Sequence, residues 1–183
     1  MKKILVAATA MATAMALVSG AQAATTGYLD VQMAVVPGCA FSGGSGNAST
    51  AGGVGDAILD FGSVTGAQTG DVTATAVATG DGQALRVVCS SSAVINNPTI
   101  SFDQGQNYVS GARKMTGPGG TLVTYELFQD AGRNTPYAVS TALPLVLTAN
   151  VPVPVNIYGR VSLPSTALTD GLYTDRVTMT LAF

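Results

Sequence analysis

The sequence predicts an all-β fold, an antiparallel sandwich, and three observations carry this prediction. Short segments rich in β-branched residues recur along the chain, and Gly, Pro, Asn and Asp separate them. No stretch sustains the 3.6-residue hydrophobic period of an amphipathic helix. Hydrophobic residues make up 47% of the chain and charged residues 10%, a balance that argues against a disordered chain. Many short strands at this spacing favour two facing sheets.

The individual strand predictions follow the chain from Cys39 to its last residue. Each segment combines apolar or β-branched residues with a boundary of turn-forming residues. The predicted strands are 57–64, 71–79, 83–90, 98–105, 121–130, 143–149, 153–163 and 171–183. The Gly/Ser/Ala-rich stretch 42–55 is predicted to be a flexible loop within the domain.

The first 23 residues are typical of a secretory signal peptide. Lys2 and Lys3 give a charged start, residues 4–18 form an apolar run, and Ala21–Ala23 is a small-residue cleavage signal. A membrane anchor is the alternative, but the run is shorter than the ~20 residues that span a bilayer. We therefore expect cleavage after Ala23, which leaves 160 of the 183 residues, enough for one domain with its own core.

Two cysteines, Cys39 and Cys89, lie in the part of the chain that would be exported. An oxidising compartment favours a disulfide between them, and two free buried thiols are the alternative. A bridge that closes a loop of about 50 residues would stabilise the fold by roughly 4 kcal/mol on the chain-entropy model.

Both ends of the predicted mature chain alternate like half-buried strands. In the N-terminal arm, residues 24–36, one side carries Leu29, Val31, Met33 and Val35, and the other carries Tyr28, Asp30, Gln32 and Ala34. In the last segment, one face carries Val177, Met179, Leu181 and Phe183, and the other carries Thr178, Thr180 and Ala182. Two arrangements of the arm are open. It either folds back as the first strand of its own sheet or adds a strand to another molecule.

The composition removes several classes of chemistry. Histidine is absent, which removes the commonest general base and metal ligand and excludes Ser-His-Asp and Cys-His sites. We therefore predict that the protein is not an enzyme and has no catalytic, cofactor-binding or metal-ligating residue. An exported carbohydrate-active enzyme is the alternative, and it would need a carboxylate pair in a cleft. The aspartates instead lie at predicted strand ends, where Asx-turn chemistry is expected: Asp56, Asp60, Asp71, Asp81, Asp103 and Asp130.

Charge also bears on the choice of partner. The net charge is −2, and it becomes −4 when Lys2 and Lys3 are removed with the signal peptide. A weakly acidic chain lacks the cations that neutralise phosphates, so nucleic acid is not an expected partner. The short basic stretch Ala112–Met115 is expected to be a solvated strand edge or turn.

Several motifs, taken in their order and spacing, support a resemblance to a known family. They are the Cys39 and Cys89 pair, LDFG (59–62), RKM (113–115), YELFQD (125–130), VNIYGRV (155–161) and GLYTDRVTMTL (171–181). Together they resemble the spore coat protein U family, the Csu-type pilins of the archaic chaperone–usher pathway. The resemblance covers essentially the whole chain after Ala23.

The resemblance implies an incomplete immunoglobulin-like antiparallel sandwich, completed by a donor strand from another subunit. The chain then divides into a signal peptide 1–23, a donor arm 24–36 and a pilin domain 37–183. The implied donor residues are Gly27, Leu29, Val31, Met33 and Val35. The implied acceptor groove, which is also the chaperone-binding site, is lined by Val177, Met179, Leu181 and Phe183.

The resemblance also implies partners and a location. A periplasmic chaperone would lend a strand, and an outer-membrane usher would exchange it for the arm of the next subunit. The product would be a surface pilus, a head-to-tail polymer of this chain and related pilins that supports attachment and biofilm formation. A single domain favours a shaft subunit over a tip adhesin. The alternative is a secreted coat or matrix protein of the same family, folded as a complete monomeric sandwich.

Overall fold

The computed structural model describes Tyr28 and residues 30–34, 36–42, 57–79, 82–94 and 96–183. The chain divides into two units, Met1–Ala34 and Val35–Phe183. The described residues of the first unit have no regular secondary structure, and Tyr28, Val31 and Met33 are 99%, 84% and 86% exposed. Of the predicted donor residues, Gly27, Leu29 and Val35 lie outside the described residues, as do the predicted signal peptide and most of the predicted loop 42–55.

The second unit is built from short strands, and every strand pair in its sheets is antiparallel. In chain order the strands are β1 Cys39–Ser42, β2 Ala57–Ile58, β3 Gly70–Thr75, β4 Val77–Ala78, β5 Arg86–Cys89, β6 Thr99–Phe102, β7 Tyr108–Val109, β8 Ala112–Thr116, β9 Leu122–Phe128, β10 Leu143–Pro144, β11 Val153–Pro154, β12 Tyr158–Leu163 and β13 Met179–Ala182. A single helical turn, α1 Ser91–Val94, follows β5, and a 3-10 turn, Pro118–Gly120, joins β8 to β9. This confirms the predicted all-β antiparallel class.

The strands found among the described residues form four sheets. The largest has the order β3-β12-β9-β8-β7, and two three-stranded sheets have the orders β1-β5-β11 and β10-β6-β13. The fourth is the pair β2-β4. Within the part of the chain that the structure describes, no helix combines the length and apolar character needed to cross a membrane.

The core forms because alternate residues of the longer strands face inward. In β5 the buried residues are Val87 and Cys89, and in β6 they are Ile100 and Phe102. Further buried side chains come from β9 and β12, namely Val123, Tyr125, Leu127 and Val161. The period of two therefore places one face of each strand in a shared core.

A disulfide joins Cys39 to Cys89 and confirms the predicted pairing. The two residues lie opposite each other in the β1–β5 ladder, and their Cα atoms are 4.0 Å apart. Because β5 is the central strand of its sheet, the bridge fixes the start of the domain to an interior strand.

Each of the eight predicted strand segments contains at least one strand, but several are much shorter than predicted. Segment 57–64 forms only the two residues of β2, and segment 143–149 only the two of β10. Segment 153–163 divides into β11 and β12, and Val155 and Ile157 between them are buried. The inward side chains of these segments still reach the core, so the hydrophobic pattern was a better guide to burial than to strand length.

The prediction that Ala112–Met115 would be solvated is wrong for Arg113. This residue lies in β8, and it is only 6% exposed. Its guanidinium donates hydrogen bonds to three main-chain carbonyls: Nε to Asp103 at 2.9 Å, Nη1 to Tyr137 at 2.9 Å and Nη2 to Phe102 at 3.2 Å. A buried cation is tolerated here because these carbonyls replace water as its partners. Arg113 thereby ties the end of β6 to the loop after β9.

We expect Arg113→Ala to lower the free energy of unfolding by about 3 kcal/mol, because three carbonyls lose a charged donor. Lys114→Ala on the same strand is the matched control, with an expected loss of less than about 1 kcal/mol. Denaturant unfolding of the disulfide-bonded protein measures both values. Equal losses would contradict a structural role for the guanidinium.

Candidate functional site

A groove of about 1230 Å³ lies in the described part of the second unit. One wall is the C-terminal segment, residues 172–183, and the other is formed by residues of β1 and residues 57–61. The floor is mostly apolar and consists of Phe102, Met115, Tyr125, Leu127 and Ile157. The groove is therefore an elongated, mainly hydrophobic channel that has strands along both sides.

Three strands that border the groove are paired on one side only, among the strands that the structure describes. β13 pairs with β6, β1 with β5, and β2 with β4. Their remaining edges carry main-chain N–H and C=O groups that another strand could pair with. Among the described residues, the groove thus combines a mostly apolar floor with strand edges outside any ladder, the two features that strand addition requires.

The structure brings the four predicted acceptor residues together along this groove. Val177, Met179 and Leu181 are half-buried and pack against the core, while Thr178, Thr180 and Ala182 are exposed. Phe183 also lines the groove and is 49% exposed. The inward face agrees with the alternation read from the sequence.

Two groove residues on the same face were missed by the sequence reasoning. Tyr173 and Asp175 precede Val177 at the same spacing of two, and both are half-buried and line the groove. The signal was present, because a residue two positions before an inward-facing residue shares its face. Asp175 was passed over because a carboxylate is not expected on an apolar face.

Hydrogen bonds attach the C-terminal segment to two different sheets. Thr174 and Thr116 of β8 exchange main-chain hydrogen bonds of 3.1 Å and 2.9 Å. Four residues later, Thr178 accepts from the Asp103 main-chain N–H at 3.0 Å and donates its own N–H to Asp103 Oδ1 at 2.9 Å. The segment therefore starts on the five-stranded sheet and ends on the sheet that contains β6.

The aspartate predictions are confirmed at three positions. Asp60 Oδ1 accepts from the Gly62 amide at 2.8 Å, and Asp103 Oδ1 accepts from the Gly105 amide at 2.8 Å. Asp130 accepts from the amides of Asn134 and Thr135. The prediction is wrong for Asp71, which lies within β3 and accepts from the Ser162 hydroxyl across the β3–β12 ladder. Asp56 and Asp81 lie outside the described residues.

Among the described residues, no group of three or more His, Cys, Asp or Glu side chains is placed to hold a metal ion. Tyr125, on the groove floor, donates its hydroxyl hydrogen to Asp175 at 2.5 Å, and burial together with this hydrogen bond raises its pKa. The Tyr125 hydroxyl is thus a stable hydrogen-bond donor.

Residues 25–180 match the sequence profile of the Spore Coat Protein U domain. The chain belongs to this family. The match spans both terminal segments and the strands between them, and it confirms the resemblance that the motifs carried. None of the curated proteins compared with the chain matches it significantly.

Three solved structures of pilus proteins are distantly similar to this chain. The P pilus rod subunit PapA is 17% identical, with a TM-score of 0.45 over 79% of this chain and 97% of that chain. A chain of the CsuC–CsuE chaperone–tip adhesion subunit pre-assembly complex from archaic chaperone–usher Csu pili of Acinetobacter baumannii is 17% identical, with a TM-score of 0.41 over 71% of this chain and 40% of that chain. A chain from the structure of a chaperone–usher pilus, which addresses rod uncoiling, is 16% identical. Its TM-score is 0.45 over 87% of this chain and 96% of that chain.

The hydrogen bond from Thr178 to the Asp103 carboxylate predicts that the stability of the fold decreases at acidic pH. Burial raises the pKa of Asp103, but hydrogen bonds from Gly105 and Thr178 outweigh it, and the net pKa is lowered. A carboxylate with a depressed folded pKa stabilises the fold above its unfolded pKa of about 3.9. This contribution is lost as the pH falls through the folded value.

We expect Asp103→Asn to reduce the loss of unfolding free energy on acidification from about pH 5 to pH 2.5. Part of the acid dependence should remain, because the pKa of Asp130 is also lowered by the amides of Asn134 and Thr135. Denaturant unfolding at several pH values measures the slope. The exposed Asp170→Asn serves as the control, and an identical slope in all three proteins would contradict the assignment.

Proposed function

We propose that this protein is a structural pilus subunit whose groove accepts a donor strand from another subunit. The observation that carries the proposal is the apolar groove between strand edges that, among the described strands, are paired on one side only. A strand placed there would gain main-chain hydrogen bonds to β13 and bury alternate side chains on the groove floor. Family membership supports the same assignment.

The donor is the N-terminal arm, residues 24–36, of another copy or of a related pilin. Gly27, Leu29, Val31, Met33 and Val35 would face the groove, opposite the row Val177, Met179, Leu181 and Phe183. Burying four medium-sized apolar side chains would contribute on the order of 6–12 kcal/mol before ordering costs. The high exposure of Val31 and Met33 in the single chain supports this role, because these side chains have apolar surface left to bury.

The remaining steps follow from the same groove. After export with a cleaved signal peptide, a periplasmic chaperone would cover the groove and β13 with its own strand. An outer-membrane usher would then permit exchange for the arm of the next subunit. Repetition gives a head-to-tail surface fibre that serves attachment and biofilm formation, with this one-domain chain as a shaft subunit. Heterologous contacts of this kind propagate without closing, as a fibre requires.

Deletion of residues 25–36 tests the donor assignment. The shortened subunit keeps its groove, so we expect it to form a chaperone complex but not to polymerise. Co-expression with the chaperone and usher, followed by electron microscopy and by size analysis of surface material, measures both outcomes. Continued fibre growth would overturn the donor assignment. A stable monomer that never engages a chaperone would favour a secreted coat or matrix protein.

A matched pair of substitutions on β13 tests the acceptor assignment. Met179→Lys places a charge on the groove face, and we expect the affinity for a synthetic peptide of residues 25–36 to fall by about a hundredfold or more. Ala182→Lys places the same charge on an exposed residue of β13 that does not line the groove, and we expect a change within about threefold. Fluorescence anisotropy of the labelled peptide measures both affinities. Equal effects would contradict groove binding.

A further inference from the structure

The C-terminal segment changes its partner strand between Thr174 and Thr178. Thr174 is bonded to β8 of the five-stranded sheet, and Thr178 is bonded to Asp103 at the end of β6. Asp175 lies within this crossing and faces inward together with Val177. Among residues 172–183, all of them described, it is the one charged side chain on the inward face. A carboxylate at such a position needs an explanation.

Both carboxylate oxygens of Asp175 are occupied by donors from other elements. Oδ1 accepts from the Gln106 amide at 2.9 Å, the Asn107 amide at 3.2 Å and Asn107 Nδ2 at 3.1 Å. Oδ2 accepts from the Tyr125 hydroxyl of β9 at 2.5 Å. The side chain therefore ties the crossing to the turn between β6 and β7 and to the groove floor at once. Hydrogen bonds to an ionised acceptor are stronger than neutral ones.

The turn that receives Asp175 leaves no room for a larger residue. A Cβ atom placed on Gly105 would collide with Asp175 Oδ2, and Gly105 has a φ of +76° that favours glycine. The turn itself is closed by the hydrogen bond from the Gly105 amide to Asp103. The Asp175 carboxylate thus packs closely against the main chain of this turn at Gly105, a position that favours glycine.

The close packing at this point matters because β13 is short. It is four residues long and, among the described strands, pairs with β6 in the register Met179 to Phe102, Thr180 to Ser101, Leu181 to Ile100 and Ala182 to Thr99. The two hydrogen bonds between Thr178 and Asp103 extend this ladder by one residue. A slip of one residue along β6 would turn Thr178 and Thr180 into the groove and expose Val177, Met179 and Leu181.

We propose that Asp175 is a positioning residue that locks the register of β13 on β6 and so keeps the apolar row facing the groove. Its four hydrogen bonds fix where the segment leaves β8, three to four residues before the β13 ladder begins. The consequence for the groove rests on the proposed function, but the register lock is a property of the single subunit.

Pairs of engineered cysteines read the register directly. Ser101→Cys with Thr180→Cys forms a cross-strand disulfide in the observed register, since directly opposite Cβ atoms lie about 4.5–5.5 Å apart. Ser101→Cys with Met179→Cys, or with Leu181→Cys, reports a slip of one residue in either direction. Peptide mapping by mass spectrometry separates these bridges from the native bridge between Cys39 and Cys89.

We expect Tyr125→Phe, which removes one charge-assisted hydrogen bond, to lower the ratio of native to slipped bridges by about tenfold. Asp175→Ala removes four hydrogen bonds and should lower the ratio further, and Asp175→Asn, which keeps one acceptor oxygen, should fall between them. Asp170→Ala, an exposed carboxylate on the preceding turn, is the matched control and should leave the ratio unchanged.

An unchanged ratio in both Tyr125→Phe and Asp175→Asn would overturn the proposal, even if the variants unfold at lower temperature. An equal fall in Asp170→Ala would overturn it too. β6 pairs with one edge of β13 and a donor strand would pair with the other, so the bridge forms whether or not a strand occupies the groove. Register and peptide binding are thus separate readouts. If the wild-type chain keeps the observed register but does not bind the peptide of residues 25–36, the result would count against the proposed function alone.

Discussion

The edge of β13 that no other described strand pairs with is the constraint on which the rest of the structure depends. A strand that pairs on one side gains only half of its possible main-chain hydrogen bonds, and this one also carries apolar side chains over an open groove. Such an edge stays in place only if other contacts hold it. Thr116, Asp103 and the donors around Asp175 supply these contacts.

Polar groups therefore fix the positions of segments that the hydrophobic core alone does not fix. The core specifies that Val177, Met179 and Leu181 face inward, but apolar contacts are non-directional and tolerate sliding. Arg113, Asp103 and Asp175 make directional bonds that join β6, the turn after it and the C-terminal segment. The same division of roles explains a cation buried in β8, because its three carbonyl partners belong to segments that must stay together around the groove.

Recurring β-branched segments between turn residues were enough to predict the all-β class, and period-two alternation predicted the inward face of Val177, Met179 and Leu181. The Cys39–Cys89 pair followed from two cysteines in a chain expected to be exported. It did not predict strand length, because the hydrogen bonding that ends β2 and β10 after two residues depends on distant partners. Arg113 was expected in solvent, because the sequence does not reveal which main-chain carbonyls will surround a basic residue in the fold. Asp175 lies two residues before Val177 and so shares its face of the strand. Its hydrogen-bond partners Gln106, Asn107 and Tyr125 could not be predicted, because they are 50 or more residues away in the chain.

The bridge between Cys39 and Cys89 has a mechanical consequence. In the fibre proposed above, tension would pull each subunit through the residues that precede its domain, and that load would enter at Cys39. Without the bridge, the pull would peel β1 from β5 one hydrogen bond at a time. With it, a covalent bond passes the load directly to the central strand of the sheet. The groove wall formed by β1 is thereby shielded from force, and the weak hydrogen bonds of an outer strand need not bear it.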